Sequence, residues 1–182
     1  MTTRILSIGT AVPEARLRQD QVRDLFAGQP GADRLTRRLI GAAFDASAIE
    51  TRHTVLDDLA AAAAASAPAG DERMPTVTDT GSLLAPSTGA RNDAYIRLAP
   101  PLFAEAARKA LTAASVNAAE VTHVVTVSCT GMFAPGPDYR LVRDLELPTT
   151  VARSHLGFMG CAAAVPALRT AAQTCAADPD AV

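Results

Sequence analysis

Apolar residues recur along the chain at two periods, and the alternation between them sets the expected elements. Residues 4–8 read as a short buried strand, closed by Gly9 and a turn at Pro13. Residues 20–26 place Val22, Leu25 and Phe26 on one helical face, with Asp20 as the expected N-cap. After a break at Gly28 and Gly31, Leu35, Leu39, Ile40 and Ala43 keep helical spacing as far as Phe44. Residues 57–88 interrupt the pattern. An alanine run there is mixed with Pro68, Pro75, Pro86, Gly70 and Gly81, which predicts a partly irregular surface excursion inside one domain.

From Pro100 onward the periods sharpen. Leu102, Phe103, Ala106, Ala107, Ala110, Leu111 and Ala114 form a helical stripe, with Glu105 and Lys109 one turn apart on the other side. Residues 121–128 are β-branched and almost continuously apolar, the signature of a strand buried on both faces. A turn at Ala134-Pro-Gly-Pro137 leads into a helix over residues 138–145 capped by Asp138, and a shorter strand follows at 149–153. Gly157-Phe-Met-Gly160 then delivers Cys161 to an alanine-rich helix. Pro166 lies five residues into that helix, where proline is tolerated only in the first turn. Regular helix is therefore expected to begin near residues 163–164, or to bend at Pro166. Helix and strand alternate throughout, which argues for an α/β sandwich.

Composition narrows the function. The chain has 182 residues, enough for one domain with a core, and 48% of them are hydrophobic. A net charge of −2 provides no basic face for nucleic acid. The N-terminus lacks a basic start followed by an apolar run, and the alanine run is too short to span a bilayer, so neither a signal peptide nor a membrane anchor is expected. The three cysteines, Cys129, Cys161 and Cys175, are odd in number and lack CxxC spacing. That argues against a disulfide framework or a zinc site and for a reduced, cytoplasmic setting.

Two segments carry a resemblance. The run Val127-Ser-Cys-Thr-Gly-Met-Phe-Ala-Pro-Gly-Pro-Asp-Tyr-Arg-Leu141 is similar to the segment preceding the nucleophile in chalcone-synthase-like enzymes. Gly157-Phe-Met-Gly-Cys-Ala-Ala-Ala164 resembles the nucleophile segment itself, and Cys129 lies 32 residues before Cys161, as that family spaces them. Weaker echoes occur in Ile49-Glu-Thr-Arg-His-Thr-Val-Leu56 and Ser87-Thr-Gly-Ala-Arg-Asn92. The chain thus resembles the N-terminal half of a type III polyketide synthase, with a thiolase-like layered sandwich across residues 1–182 and the C-terminal half absent.

That resemblance implies an acyltransferase of polyketide biosynthesis. It would load acyl-CoA onto Cys161 and extend the chain by decarboxylative condensation with malonyl-CoA, using no metal or redox cofactor. Thiolate is the attacking form, and a small-residue turn at a helix start favours the anion. The alternative for Cys161 is a buried inert thiol. The resemblance also places Cys129, Thr130, Met132 and Ala134 at the substrate pocket, Ala134 where a partner subunit reaches in, so a homodimer is implied for the full-length form. For Cys129 a small core residue is the equal alternative, and Cys175 is expected to serve packing. Arg37, Arg38 and Arg52, with Arg34, would bind the phosphates of coenzyme A or else form a solvated face. The family's catalytic His and Asn come from the second half; none of His53, His123 and His155 matches the catalytic position. Two rivals stand beside this reading: a β-ketoacyl synthase III-like fatty-acid condensing enzyme, and a non-catalytic truncated remnant or binding module.

Overall fold

The computed structural model describes residues 3–66 and 73–182. The chain divides into two compact units, Val12–Arg91 and a second that joins the residues up to Ala11 with Asn92–Val182.

In the first unit, strand β1 (Arg16–Arg18) pairs antiparallel with β2 (Thr51–His53), Leu17 opposite Arg52. Between them run α1 (Gln19–Ala27) and α2 (Arg34–Ala46), which pack together with the Phe26 and Phe44 rings 6.1 Å apart. The helix expected at 20–26 begins one residue earlier. Its N-cap is Arg18 rather than Asp20, because Asp20 lies in the first turn and is paired with Arg18 at 3.0 Å. α2 matches the periodicity and is capped by Asp33, whose carboxylate accepts the Thr36 N–H at 2.7 Å. That bond holds the Asp33 pKa below the usual carboxylate range.

The expected excursion is more ordered than its composition suggested. Residues Asp57–Ala63 form α3, and the segment around Val77 and Leu83 closes on itself through an antiparallel bridge. Asp58 ties these together. Its carboxylate accepts the Thr76 hydroxyl at 2.6 Å, the Val77 N–H at 3.2 Å and the Thr76 N–H. Pro68 and Gly70 lie outside the described residues.

The second unit is built on α4 (Thr88–Ala114), whose residues from Asn92 onward belong to it, and on a parallel strand pair. The helix begins twelve residues before Pro100 and runs through Pro100 and Pro101 without a break. The first of these is buried. Residues 4–8 form no strand among the described residues. They contact α4, where the Ser7 hydroxyl donates to the Ala110 carbonyl at 2.7 Å and a side chain at Gly9 would strike the helix backbone at Ala106. Ile5 and Ile8 are exposed. The pattern was strand-like, but a strand needs a neighbour to pair with.

Strand β3 (His123–Ser128) buries Val124 and Thr126 and leaves the intervening residues half-buried, less than the two-sided burial expected. Its partner β4 (Ala152–Gly157) starts three residues later than predicted and runs parallel, with His123 opposite Ala152 and Ser128 opposite Gly157. A parallel pair needs a crossover, supplied here by α5 (Pro137–Asp144). Gly136 rather than Asp138 is its N-cap, and Pro137 opens the helix where a missing N–H costs nothing. Asp138 turns instead to Arg153 of β4, 2.7 Å away. Val124, Leu147 and Val151 form the small core beneath, with Leu141 and Val142 of α5 against it.

Candidate active site

Both thiols of interest leave the same edge of the parallel pair. Cys129 follows the last residue of β3; β4 ends opposite it, at Gly157, and the chain then turns into Cys161. Open parallel sheets place ligands outside the carboxyl ends of their strands, so this is the edge where chemistry is expected.

The turn is conformationally specific. Phe158 sits at φ 58° and Gly160 at φ 68°, the left-handed region that L side chains rarely adopt. No atom lies within 4 Å of where a Gly160 side chain would begin, so the backbone angle, and not space, requires glycine there. Cys161 opens one 3-10 turn (Cys161–Ala163) that packs against β3, and α6 (Ala164–Ala177) follows directly. Ala163 is buried beneath the turn while Cys161 is exposed. Within these residues Cys161 is therefore not part of the core. Regular helix begins at Ala164, as Pro166 demanded: the proline is the third helical residue, where its nitrogen has no partner to lose.

Residues 129–134 form a loop beside this turn's strand. Cys129, Thr130, Met132 and Ala134 are all exposed. The loop is held from α4 by two residues that sequence reasoning missed. The Asn92 side chain donates Nδ2–H to the Met132 carbonyl at 2.8 Å and accepts the Met132 N–H on Oδ1 at 2.7 Å. Tyr95, one turn on, is buried with its ring against Gly131; a side chain at that glycine would overlap it. Phe133 meets the same ring edge-on at 6.1 Å. Carrying the helical period back through the prolines to Thr88 would have placed Asn92 and Tyr95 on one helix.

The arginines named from the sequence lie in the first unit. Arg34, Arg37 and Arg38 are exposed on α2 and form no ion pair among the described residues, while Arg52 of β2 donates Nε–H to Gln19 Oε1 at 3.1 Å. These four belong to the first unit and the thiols to the second. His123 and His155 each meet a threonine hydroxyl, Thr122 at 2.9 Å and Thr126 at 2.8 Å, and His53 meets the Pro13 carbonyl at 2.8 Å. Cys175 is half-buried in α6, with its thiol toward the Ala181 carbonyl. Among the described residues no cluster of His, Cys, Asp and Glu is arranged to hold a metal. No helix among them is long and apolar enough to cross a membrane.

A parallel β-α-β pair that presents a cysteine on a left-handed turn ahead of a helix makes this an α/β protein, and its solved structural neighbours have the thiolase-like fold. Comparison with known proteins narrows that class. Residues 2–181 match the family profile of chalcone and stilbene synthases, N-terminal domain, and the chain belongs to that family. It is 28% identical over 178 residues to probable polyketide synthase 1 of Dictyostelium discoideum, covering 96% of this chain and 5% of that one. Among solved structures it resembles PKS-I of the brown alga Ectocarpus siliculosus, with a TM-score of 0.81 and 29% identity over 96% of this chain and 44% of that one. It likewise resembles the C-terminal type III polyketide synthase domain of Steely1 from Dictyostelium, with a TM-score of 0.77 and 26% identity over 100% of this chain and 46% of that one. The chain thus spans less than half the length of each.

Proposed function

We propose that this chain carries the acyl-accepting half of a type III polyketide synthase, with Cys161 as the nucleophile. One observation supports this above the others: Cys161 is exposed at the carboxyl edge of the strand pair, on a turn whose φ 58° and φ 68° residues lift it clear of the buried Ala163. In the first step the Cys161 thiolate attacks the carbonyl carbon of an acyl-CoA. The Sγ–C bond forms, the thioester bond to coenzyme A breaks, and the coenzyme leaves as its thiolate. Malonyl-CoA then loses CO2, and the electron pair of the broken C–C bond becomes an enolate. The enolate carbon attacks the acyl carbonyl on Cys161, releasing the thiolate and leaving a β-ketoacyl-CoA lengthened by two carbons.

Cys129, Thr130, Met132 and Ala134 serve in this scheme as the wall that receives the acyl group. Arg37, Arg38 and Arg52 bind the coenzyme's phosphates, a task suited to guanidinium groups that pair bidentately with phosphate oxygens. The partners are acyl-CoA and malonyl-CoA, the full-length form acts as a cytoplasmic homodimer, and the scheme needs no cofactor.

Intact-mass measurement tests it. The full-length protein incubated with hexanoyl-CoA is expected to gain one acyl group, lost in Cys161→Ser and retained in Cys129→Ser and Cys175→Ser. Acylation that persists in Cys161→Ser removes the proposal. Acylation only from an acyl-carrier-protein thioester transfers it to a fatty-acid-type condensing enzyme, and no acylation from either donor leaves a binding module.

A further inference from the structure

The loop 129–134 is short, exposed and lightly tied. Apart from the contact with Asn92, the hydrogen bond within it among the described residues is Thr130 N–H to the Ser128 hydroxyl at 3.5 Å, the outer limit of such a bond. Asn92 supplies what the loop lacks. A primary amide offers a donor and an acceptor side by side, and only one orientation of the Asn92 side chain satisfies both the Met132 carbonyl and the Met132 N–H. Two bonds to one residue fix both the distance of that residue from α4 and its rotation about the chain. Met132 is nevertheless 68% exposed as a residue, so the clamp holds its backbone without burying it.

Tyr95 sets the depth. Its ring lies where any Cβ at position 131 would fall, which lets the loop rest directly on the helix. Its hydroxyl is buried and has no hydrogen-bond partner among the described residues, so the ring serves here as a flat support. Both contacts come from neighbouring turns of α4, a helix of 27 residues. A loop that is tethered at its centre to such a helix, and continuous with β3 at Cys129, cannot shift without moving the surface around that thiol.

We infer that Asn92 is a positioning residue for acyl selection: by holding the Met132 backbone over Tyr95, it sets which acyl lengths can reach Cys161. This rests on the reading of Cys161 as the acyl acceptor and of residues 129–134 as the pocket wall. Asn92 touches no reacting atom. Its effect passes through Met132 to the space available to the acyl chain.

The test uses the full-length protein and three variants. Asn92→Ala removes both bonds. Asn92→Asp keeps an acceptor for the Met132 N–H but sets a carboxylate against the carbonyl. Asn92→Gln keeps both groups on a longer arm. Hexanoyl-CoA and dodecanoyl-CoA compete to load Cys161, and the ratio of their second-order loading rates is read by mass. Amide exchange at Met132 is followed alongside, with Val124 as an internal reference. Asn92→Ala is expected to change the ratio at least 5-fold and to speed Met132 exchange at least 10-fold, with Val124 unmoved. Asn92→Gln should return both partway, and Asn92→Asp stands in if the alanine variant does not fold. Equal slowing of both thioesters with an unchanged ratio marks a purely structural contact and overturns the inference. Wild-type protein that loads neither thioester overturns the underlying function and this inference with it, whereas normal loading at an unchanged ratio overturns this inference alone.

Discussion

Burial would push the pKa of Asp58 up, but the Thr76 hydroxyl and the N–H groups of Thr76, Leu59 and Val77 outweigh it and hold that pKa below the usual carboxylate range. A carboxylate whose folded pKa is depressed stabilises the protein above its unfolded pKa, about 3.9, and loses that contribution as pH falls through the lower folded value. Wild-type Tm is therefore expected to fall between roughly pH 5 and pH 3. In Asp58→Asn the same limb should be shallower, from a lower starting stability. The substitution puts an NH2 group where one of the two carboxylate oxygens accepted, leaving that oxygen's donors unmatched, which costs about 1–3 kcal/mol when such groups stay buried. An acid limb of unchanged steepness in the variant places the titration elsewhere. None of this was readable from the residues in order: Asp58 and Thr76 lie 18 positions apart in a stretch whose composition signalled only irregularity. The turn at Cys161 was readable, because Gly160 admits the left-handed backbone angle the turn needs and Pro166 is tolerated only in a first helical turn, and the two agree on where the helix begins.

At the scale of elements, what was legible depended on whether the deciding interaction was local. α2 and α6 kept their predicted courses because capping and helical period act within a few residues, through Asp33 in one and Pro166 in the other. β4 moved three residues toward the C-terminus, since register in a parallel pair is set by β3, across a crossover no local pattern records. α4 shows the opposite error. Two prolines look like a helix start, yet the packing of Ala94, Tyr95 and Ala104 carries the helix through them. An interior proline costs roughly 3 kcal/mol and returns up to about 1 kcal/mol by stiffening the unfolded chain. Replacing the exposed Pro101 with alanine is thus expected to stabilise by about 2 kcal/mol, seen as a higher urea midpoint at unchanged slope. The same change at Pro100 should destabilise, because that ring is buried. A lower midpoint for Pro101→Ala means the helix has adapted to its prolines.

For the molecule as a whole, the layered α/β class was visible in the alternation of periods, and the family in two segments set 32 residues apart. The modest core was not. Among the described residues no large side chain is fully buried, while Ile5, Ile8, Phe158, Met159, Val165 and Leu168 are each more than half exposed. Apolar area left in water contributes nothing to stability, at about 25 cal/mol for each Å² not buried. Residues 1–182 expressed alone are expected to brighten the dye ANS in native buffer and to unfold over a broad temperature range. A sharp transition without dye binding means these side chains are satisfied within the chain. Besides the Ser7 bond to Ala110, a cation ties the segment before Ala11 to α4: Lys109 reaches the Thr10 carbonyl at 3.2 Å while paired with Glu105 at 2.6 Å. It is also the one lysine among 17 basic residues. An amine-directed reagent therefore has one lysine to address on these residues, and the rate at which it reacts there reports whether that seam is closed.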